Sequence, residues 1–146
     1  MGGDSRCKKL NLAVYDAENA LPFADETFDC VLLDAPCSGT GTIRHNPEIR
    51  YFLAEKDFAE LAEKQLQILK NASKTLTKGG RLIYSTCSLE QSENEAVIEK
   101  FLAENADFER SELALPDKFT TAEGFARTFP QAHDTDGFFI AALGRK

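Results

Sequence analysis

The stretch VLLDAPCSGTGTIRHNPEIR, residues 31–50, decides how the fold is read. An apolar run ends in Asp34, Ala35, Pro36 and Cys37 and gives way at once to a loop carrying Gly39 and Gly41. Phe28 to Leu33 is apolar around Asp29, the pattern of a strand buried on both faces of a parallel sheet. A carboxylate and a thiol directly after such a strand stand where open α/β sheets bind ligands, outside the carboxyl ends of the strands. Cys30 lies inside the apolar run and is expected in the core, because free cysteine behaves as a small hydrophobe.

Working outward, Asn11 to Tyr15, NLAVY, reads as a short strand ending at Asp16, followed by the turn-like ENALPFADET. Phe58, Leu61, Ala62, Leu66, Leu69, Ala72 and Leu76 recur at helical spacing and predict an amphipathic helix from Glu55 to Thr77, stopped by Lys78, Gly79 and Gly80. Arg81 to Thr86, RLIYST, is the next strand, with Cys87 at its end. Ser92 and Glu95 fit a capping box for a second helix reaching about Asn105. Ser111 to Thr135 reads as loop, and Gly137 to Leu143 as a final strand. Strand, helix, strand, helix, strand predicts an open α/β sheet with right-handed crossovers.

The bulk properties narrow the function classes. A chain of 146 residues with 42% hydrophobic content suits one domain, which at this size buries about two thirds of its unfolded surface. No run approaches the roughly 18 apolar residues of a membrane helix, and no signal-peptide core is present at the start, so a soluble cytoplasmic protein with no membrane partner is expected. The net charge of −7 is the wrong sign for holding nucleic acid by an overall field, so any such contact is local or supplied by another domain. Cys7, Cys30, Cys37 and Cys87 include no C-x-x-C pair, which argues against a metal site and a disulfide scaffold.

Three strands deliver a polar or reactive side chain to one end of the sheet: Asp16 after NLAVY, Asp34 and Cys37 after VLL, and Cys87 after RLIYST. A phosphatase-type cradle does not explain CSGTGTIR, because six residues separate Cys37 from Arg44, one too many for a thiolate and an arginine to bracket such a loop. A nucleotide P-loop fails too, since no Gly-Lys-Ser/Thr follows.

DAPCSGTG at 34–41 and STCSLEQSENE at 85–95 resemble the two signature motifs of the Fmu/Sun family of RNA cytosine-5 methyltransferases, and RTFPQAHDTDGFFIA at 127–141 is similar to its C-terminal motif. The resemblance spans nearly the whole chain from Asp16 onward. It implies methylation of carbon 5 of cytosine in RNA, ribosomal RNA being the expected partner, with S-adenosylmethionine as cofactor. Carbon 5 is a poor nucleophile until a thiolate adds at carbon 6, which splits one difficult step into easier ones. By resemblance Cys87 is the nucleophile, Cys37 assists breakdown of the covalent intermediate, and Asp34 contacts base and cofactor. Sequence physics alone does not rank the two thiols. Val31 to Leu33, Ala35 and Pro36 suggest that Asp34 is desolvated enough to donate a hydrogen bond as a neutral acid. Asp16 and Pro36 join Asp34 as implied cofactor contacts, although Asp16 reads equally well as a turn residue. Ser38, Gly39, Thr40 and Gly41 form an expected flexible loop near the target base. Arg44, His45 and Arg50 are the nearest basic cluster and suit RNA phosphate as well as a solvated face.

In the family a glycine-rich strand-to-helix turn upstream of Asp16 holds the methionine part of the cofactor, and no such turn can be placed between Met1 and Asp16. Residues 1–146 are therefore expected to be the C-terminal portion of a catalytic domain. The fold class this implies is α/β: a partial Rossmann-like methyltransferase with a mostly parallel sheet, flanking helices and no first strands. An incomplete sheet has open edges, so a homo-oligomer or a covering partner chain is expected. The alternative from another class is a non-catalytic remnant or interaction module that has lost cofactor binding. No role follows from sequence for His133 or Asp136.

Overall fold

The computed structural model describes residues 11–146. Cys7 and the stretch from Met1 to Asp4 lie outside the described residues. In chain order the elements are β1 (Phe28–Asp34), α1 (Ile49–Phe52), α2 (Glu55–Lys74), β2 (Leu76–Thr86), α3 (Glu95–Glu104), β3 (Phe108–Ser111), β4 (Ala126–Thr128), α4 (Pro130–His133) and β5 (Phe138–Arg145). The sheet order is β1-β2-β5-β3, with β4 also paired to β5. β1 and β2 are parallel, with Asp34 opposite Ser85, whereas β2, β3 and β4 each pair antiparallel with β5. Every strand except β5 therefore points the same way. The sheet is mostly parallel in direction and mixed in pairing, because the last strand inserts in reverse.

Helix α2 forms where its apolar spacing puts Leu66, Leu69 and Ala72 on one buried stripe. Its first turn is fixed by the Ala54 N–H, which donates to the Asp57 carboxylate at 2.8 Å. Alternation along the strands places Leu82 and Tyr84 of β2 with Phe139, Ala141 and Leu143 of β5 on one face, and α2 and α3 cover it. Phe101 of α3 meets Phe108 of β3 edge-on at 5.2 Å. Phe101, Leu69, Leu82 and Ile98 are fully enclosed, each contributing roughly 1.5–3 kcal/mol by burial. Among the described residues no helix is long and apolar enough to cross a membrane.

Several expectations are corrected. NLAVY forms no strand, and Leu12 and Val14 are exposed; among the described residues no neighbouring strand takes its ladder bonds. β1 is not buried on both faces: Val31 and Leu33 turn toward the core, while Cys30, Leu32 and Asp34 lie on an uncovered face, so Cys30 is exposed instead of core. Helix α2 ends at Lys74, where the Thr75 hydroxyl donates to the Ala72 carbonyl at 2.8 Å. Lys78, Gly79 and Gly80 form a bulge inside β2, with Gly79 at φ +76°, in place of a helix stop. Ser92 does not cap α3; it lies in a 3-10 turn, Gln91–Glu93, and Asn94 precedes the helix. The expected loop from Ser111 to Thr135 contains β4, α4 and a short 3-10 turn, Asp117–Phe119.

Candidate functional site

Because β1 and β2 are adjacent and parallel, their carboxyl ends emerge side by side and carry the two cysteine motifs to one place. The Ala35 N–H donates to the Ser85 carbonyl at 2.9 Å, extending the ladder one step past the strand end. Beyond it the Cys37 and Cys87 sulfurs face each other at 3.4 Å. Both cysteines are half-buried. Burial, then the hydrogen bond and charge of Cys87, push the Cys37 thiol up from 9.0 to about 12, while the backbone N–H groups of Gly39 and Cys87 pull in the opposite direction. Burial likewise holds the Tyr84 hydroxyl well above its usual range, with the charges of Glu93 and Cys37 adding to it.

Asp34 is exposed and takes the Ser85 hydroxyl on Oδ1 at 2.9 Å. It is not the enclosed carboxyl its apolar neighbours suggested, because the face of β1 on which it stands is bare. Pro36 is also exposed, and its carbonyl accepts from Gln65 at 2.9 Å.

The loop after Cys37 is pinned, contrary to the expectation of a flexible one. The Gly41 N–H donates to the Cys87 carbonyl at 2.9 Å, and the Gly41 carbonyl accepts from the Gly137 N–H at 2.8 Å. A Cβ on Gly41 would stand 2.1 Å from the Gly137 oxygen, so only glycine permits this crossing of three chain segments. Gly39 adopts φ +73°. The side chains of Ser38 and Thr40 turn inward. The Ser38 hydroxyl reaches the Glu93 carboxylate at 2.5 Å, and Thr40 Oγ1 accepts the Leu89 N–H at 2.9 Å.

Arg44 is tied to Asp136, Nε to Oδ1 at 2.6 Å, and His45 Nε2 lies 3.4 Å from the same oxygen. This gives Asp136 a role that the sequence did not: it anchors Arg44 and His45 next to Gly137, whereas Arg50 stands apart, its Nε donating to the Pro47 carbonyl at 3.2 Å. His133 is structural, its Nδ1 accepting the Phe129 N–H at 2.9 Å and its ring lying over Phe119 and Phe129. Asp16 closes its own turn, accepting from the Glu18 N–H and from Asn19 Nδ2, each at 3.0 Å.

Sequence reading missed the polar residues beneath the cysteines. Glu93 and Gln65 are fully buried, and so are Ser88 and Asn94. Nothing in STCSLEQSENE separates Glu93 from its neighbours Glu90 and Glu95, of which Glu95 was read as part of a helix cap; its enclosure becomes visible only once the chain is folded.

Comparison with known proteins agrees with this geometry. Residues 5–144 match the family model described as 16S rRNA methyltransferase RsmB/F. A Bacillus subtilis protein named "Probable ribosomal RNA small subunit methyltransferase B" is 43% identical over 94% of this chain and 33% of its own length. The "Ribosomal RNA small subunit methyltransferase F" of Escherichia coli is 40% identical over 95% of this chain and 30% of its own. The crystal structure of NSun6 from Pyrococcus horikoshii with SFG superposes with a TM-score of 0.78 at 29% identity, covering 94% of this chain and 35% of that one. The chain thus spans about a third of the length of the curated relatives it matches. With the family model covering all but a few terminal residues, the chain belongs to the 16S rRNA methyltransferase RsmB/F family.

Proposed function

We propose that this chain carries the cysteine pair of an S-adenosylmethionine-dependent methyltransferase that modifies carbon 5 of cytosine in ribosomal RNA through a covalent cysteine adduct. The observation that carries the reading is the pair of sulfurs at 3.4 Å at the carboxyl ends of two parallel strands, beside an exposed carboxylate. Family membership supports it. A remnant without chemistry has no need of two thiols held in contact.

The residues present fit one wall of a cofactor site. Asp34 and Pro36 are exposed at the end of β1, next to the bare apolar Leu32, and the Asp34 Oδ2 is free of the Ser85 bond. Asp16, although closing a turn, keeps further lone pairs for an amino group. S-adenosylmethionine supplies an electrophilic methyl group when bound.

The two sulfurs lie in hydrogen-bond contact, with either able to donate, and burial favours the protonated form of Cys37; by the family resemblance Cys87 is the nucleophile, its thiolate adding to carbon 6 of the base. The addition makes carbon 5 nucleophilic enough to take the methyl group. Solvent water takes the carbon 5 proton, the electron pair re-forms the carbon 5–carbon 6 double bond and Cys87 leaves as its thiolate; Cys37, within reach of the same sulfur, assists that breakdown. The pinned loop Ser38–Gly41 positions backbone near the base, and Arg44, although its charge is shared with Asp136 and Asp134, keeps guanidinium N–H groups for RNA phosphate.

Trapping with RNA containing 5-fluorocytidine, in the presence of S-adenosylmethionine, tests the assignment. A protein–RNA adduct stable to denaturation is expected from the parent and from Cys37→Ser, and none from Cys87→Ser. An adduct retained by Cys87→Ser assigns the nucleophile to the other thiol. No adduct from any form overturns the covalent reading. The open edge of β1 further supports assembly with a second copy or a covering chain.

A further inference from the structure

Each cysteine is flanked by residues tied to one buried carboxylate. On one side the Ser38 N–H donates to Glu93 Oε1 at 2.8 Å, and its hydroxyl to Oε2 at 2.5 Å. On the other, the Ser88 hydroxyl donates to Oε2 at 2.5 Å. The amide of Gln65 donates both to Glu93 Oε1 and to the Pro36 carbonyl, each at 2.9 Å, so the residue before Cys37 is linked through Gln65 to the carboxylate that holds the residue after it. The next residue in the chain completes the frame: Asn94 accepts from the Thr86 hydroxyl at 2.5 Å and donates to the Ser88 carbonyl at 2.9 Å. The Tyr84 hydroxyl, donating to the Glu93 carbonyl at 2.7 Å, fixes the backbone at this point. Four donors fill the lone pairs of a carboxylate that is fully buried. A carboxylate so enclosed costs stability unless every oxygen is satisfied, and a hydrophobic residue would serve the core with less demand.

We infer that Glu93 is a positioning residue that sets the spacing of the Cys37 and Cys87 sulfurs by gripping Ser38 and Ser88, the residues that follow them. It touches neither sulfur and acts through its two serine neighbours and Gln65. The spacing is a property of the fold; its meaning for catalysis rests on the reading of the pair as the reacting thiols. Truncating Glu93 leaves Ser38 and Ser88 without their common acceptor, and next to the sulfurs the two loops are then joined by the Ser38–Ser88 hydroxyl contact at 3.2 Å, the Gly41 crossing lying farther along.

The effective concentration of the two thiols reads this spacing directly and needs no methyl transfer. In a glutathione couple the pair gives up two protons and two electrons to oxidised glutathione, forming one Sγ–Sγ bond and two reduced glutathiones. Measured on the full chain, with Cys7 and Cys30 replaced by serine, Glu93→Ala and Glu93→Gln are expected to lower the effective concentration about tenfold or more, the scale of lost charged hydrogen bonds. Ile98→Val, in the core of α3, is expected to lower the melting temperature and leave the effective concentration within about twofold. If Glu93→Ala does not melt cooperatively, Glu93→Gln and Ser38→Ala carry the test. A folded Glu93→Gln with the parent value overturns the inference, as does an Ile98→Val that lowers the value equally. Neither result bears on adduct trapping, so failure of the spacing role and failure of the covalent mechanism are distinguishable.

Discussion

Cys37 is the thiol whose protonation the fold controls. Its thiol is raised from 9.0 to about 12, first by burial and then by Cys87. A thiol that binds its proton more tightly when folded stabilises the native state at every pH below its unfolded value, and that contribution is lost as the pH rises toward the folded one. Stability is therefore expected to fall from about pH 9 upward, with Cys37→Ser flattening the first part of the decline in urea midpoints. Tyr84, raised by burial, contributes with the same sign at higher pH, and Tyr84→Phe removes that second part. A Cys37→Ser profile parallel to the parent contradicts the assignment of burial to Cys37. At this scale the meeting of Cys37 and Cys87 was legible in sequence because a reactive group after an apolar strand is unusual, while the exposure of Asp34 was not. Glu93 was not, because a charged residue near a helix start is ordinarily a cap, and only the tertiary structure shows it to be enclosed.

At the scale of elements, two parallel strands and a pair of glycines do the positioning. The crossing of Gly41 over Gly137 ties the Cys37 loop to the Cys87 loop and to the start of β5. Gly41→Ala would place Cβ 2.1 Å from the Gly137 oxygen and 2.8 Å from the Cys87 oxygen, both backbone atoms that no rotamer change can move. A loss of about 2–3 kcal/mol is expected from such overpacking, read as a lower urea midpoint at unchanged m-value. Gly124→Ala, at φ +84° but with open space around it, is expected to cost about 1 kcal/mol. Equal losses at the two sites would mean that the crossing is not tight. Helix α2 and the β1–β2 pair were legible because their apolar periods survive alone. β3 and β4 were not: FERS and ART are short and polar, and they become strands only because β5 offers its edge. NLAVY shows the converse, a strand-like sequence that forms no strand where, among the described residues, no neighbour pairs with it.

For the whole molecule, the uncovered side of β1 is the feature that sequence and structure read differently for one physical reason. The apolar run Phe28–Leu33 has the composition of a strand covered on both faces, but only Val31 and Leu33 find a core, and Leu32 remains 70% exposed. Among the described residues the outer edge of β1 has no partner strand. An apolar face beside open ladder groups is a template for pairing with another chain. Sedimentation in reducing buffer, which keeps exposed Cys30 from linking chains, is expected to show concentration-dependent association of the parent. Leu32→Lys places a charge on that face, and it is expected to shift the distribution toward monomer while the melting temperature at low concentration stays unchanged, since Leu32 contributes little to the core. If the parent sediments as a compact monomer at high concentration, the face is tolerated bare. If Leu32→Lys associates as strongly as the parent, association runs through a different surface, and the edge of β1 has no part in it.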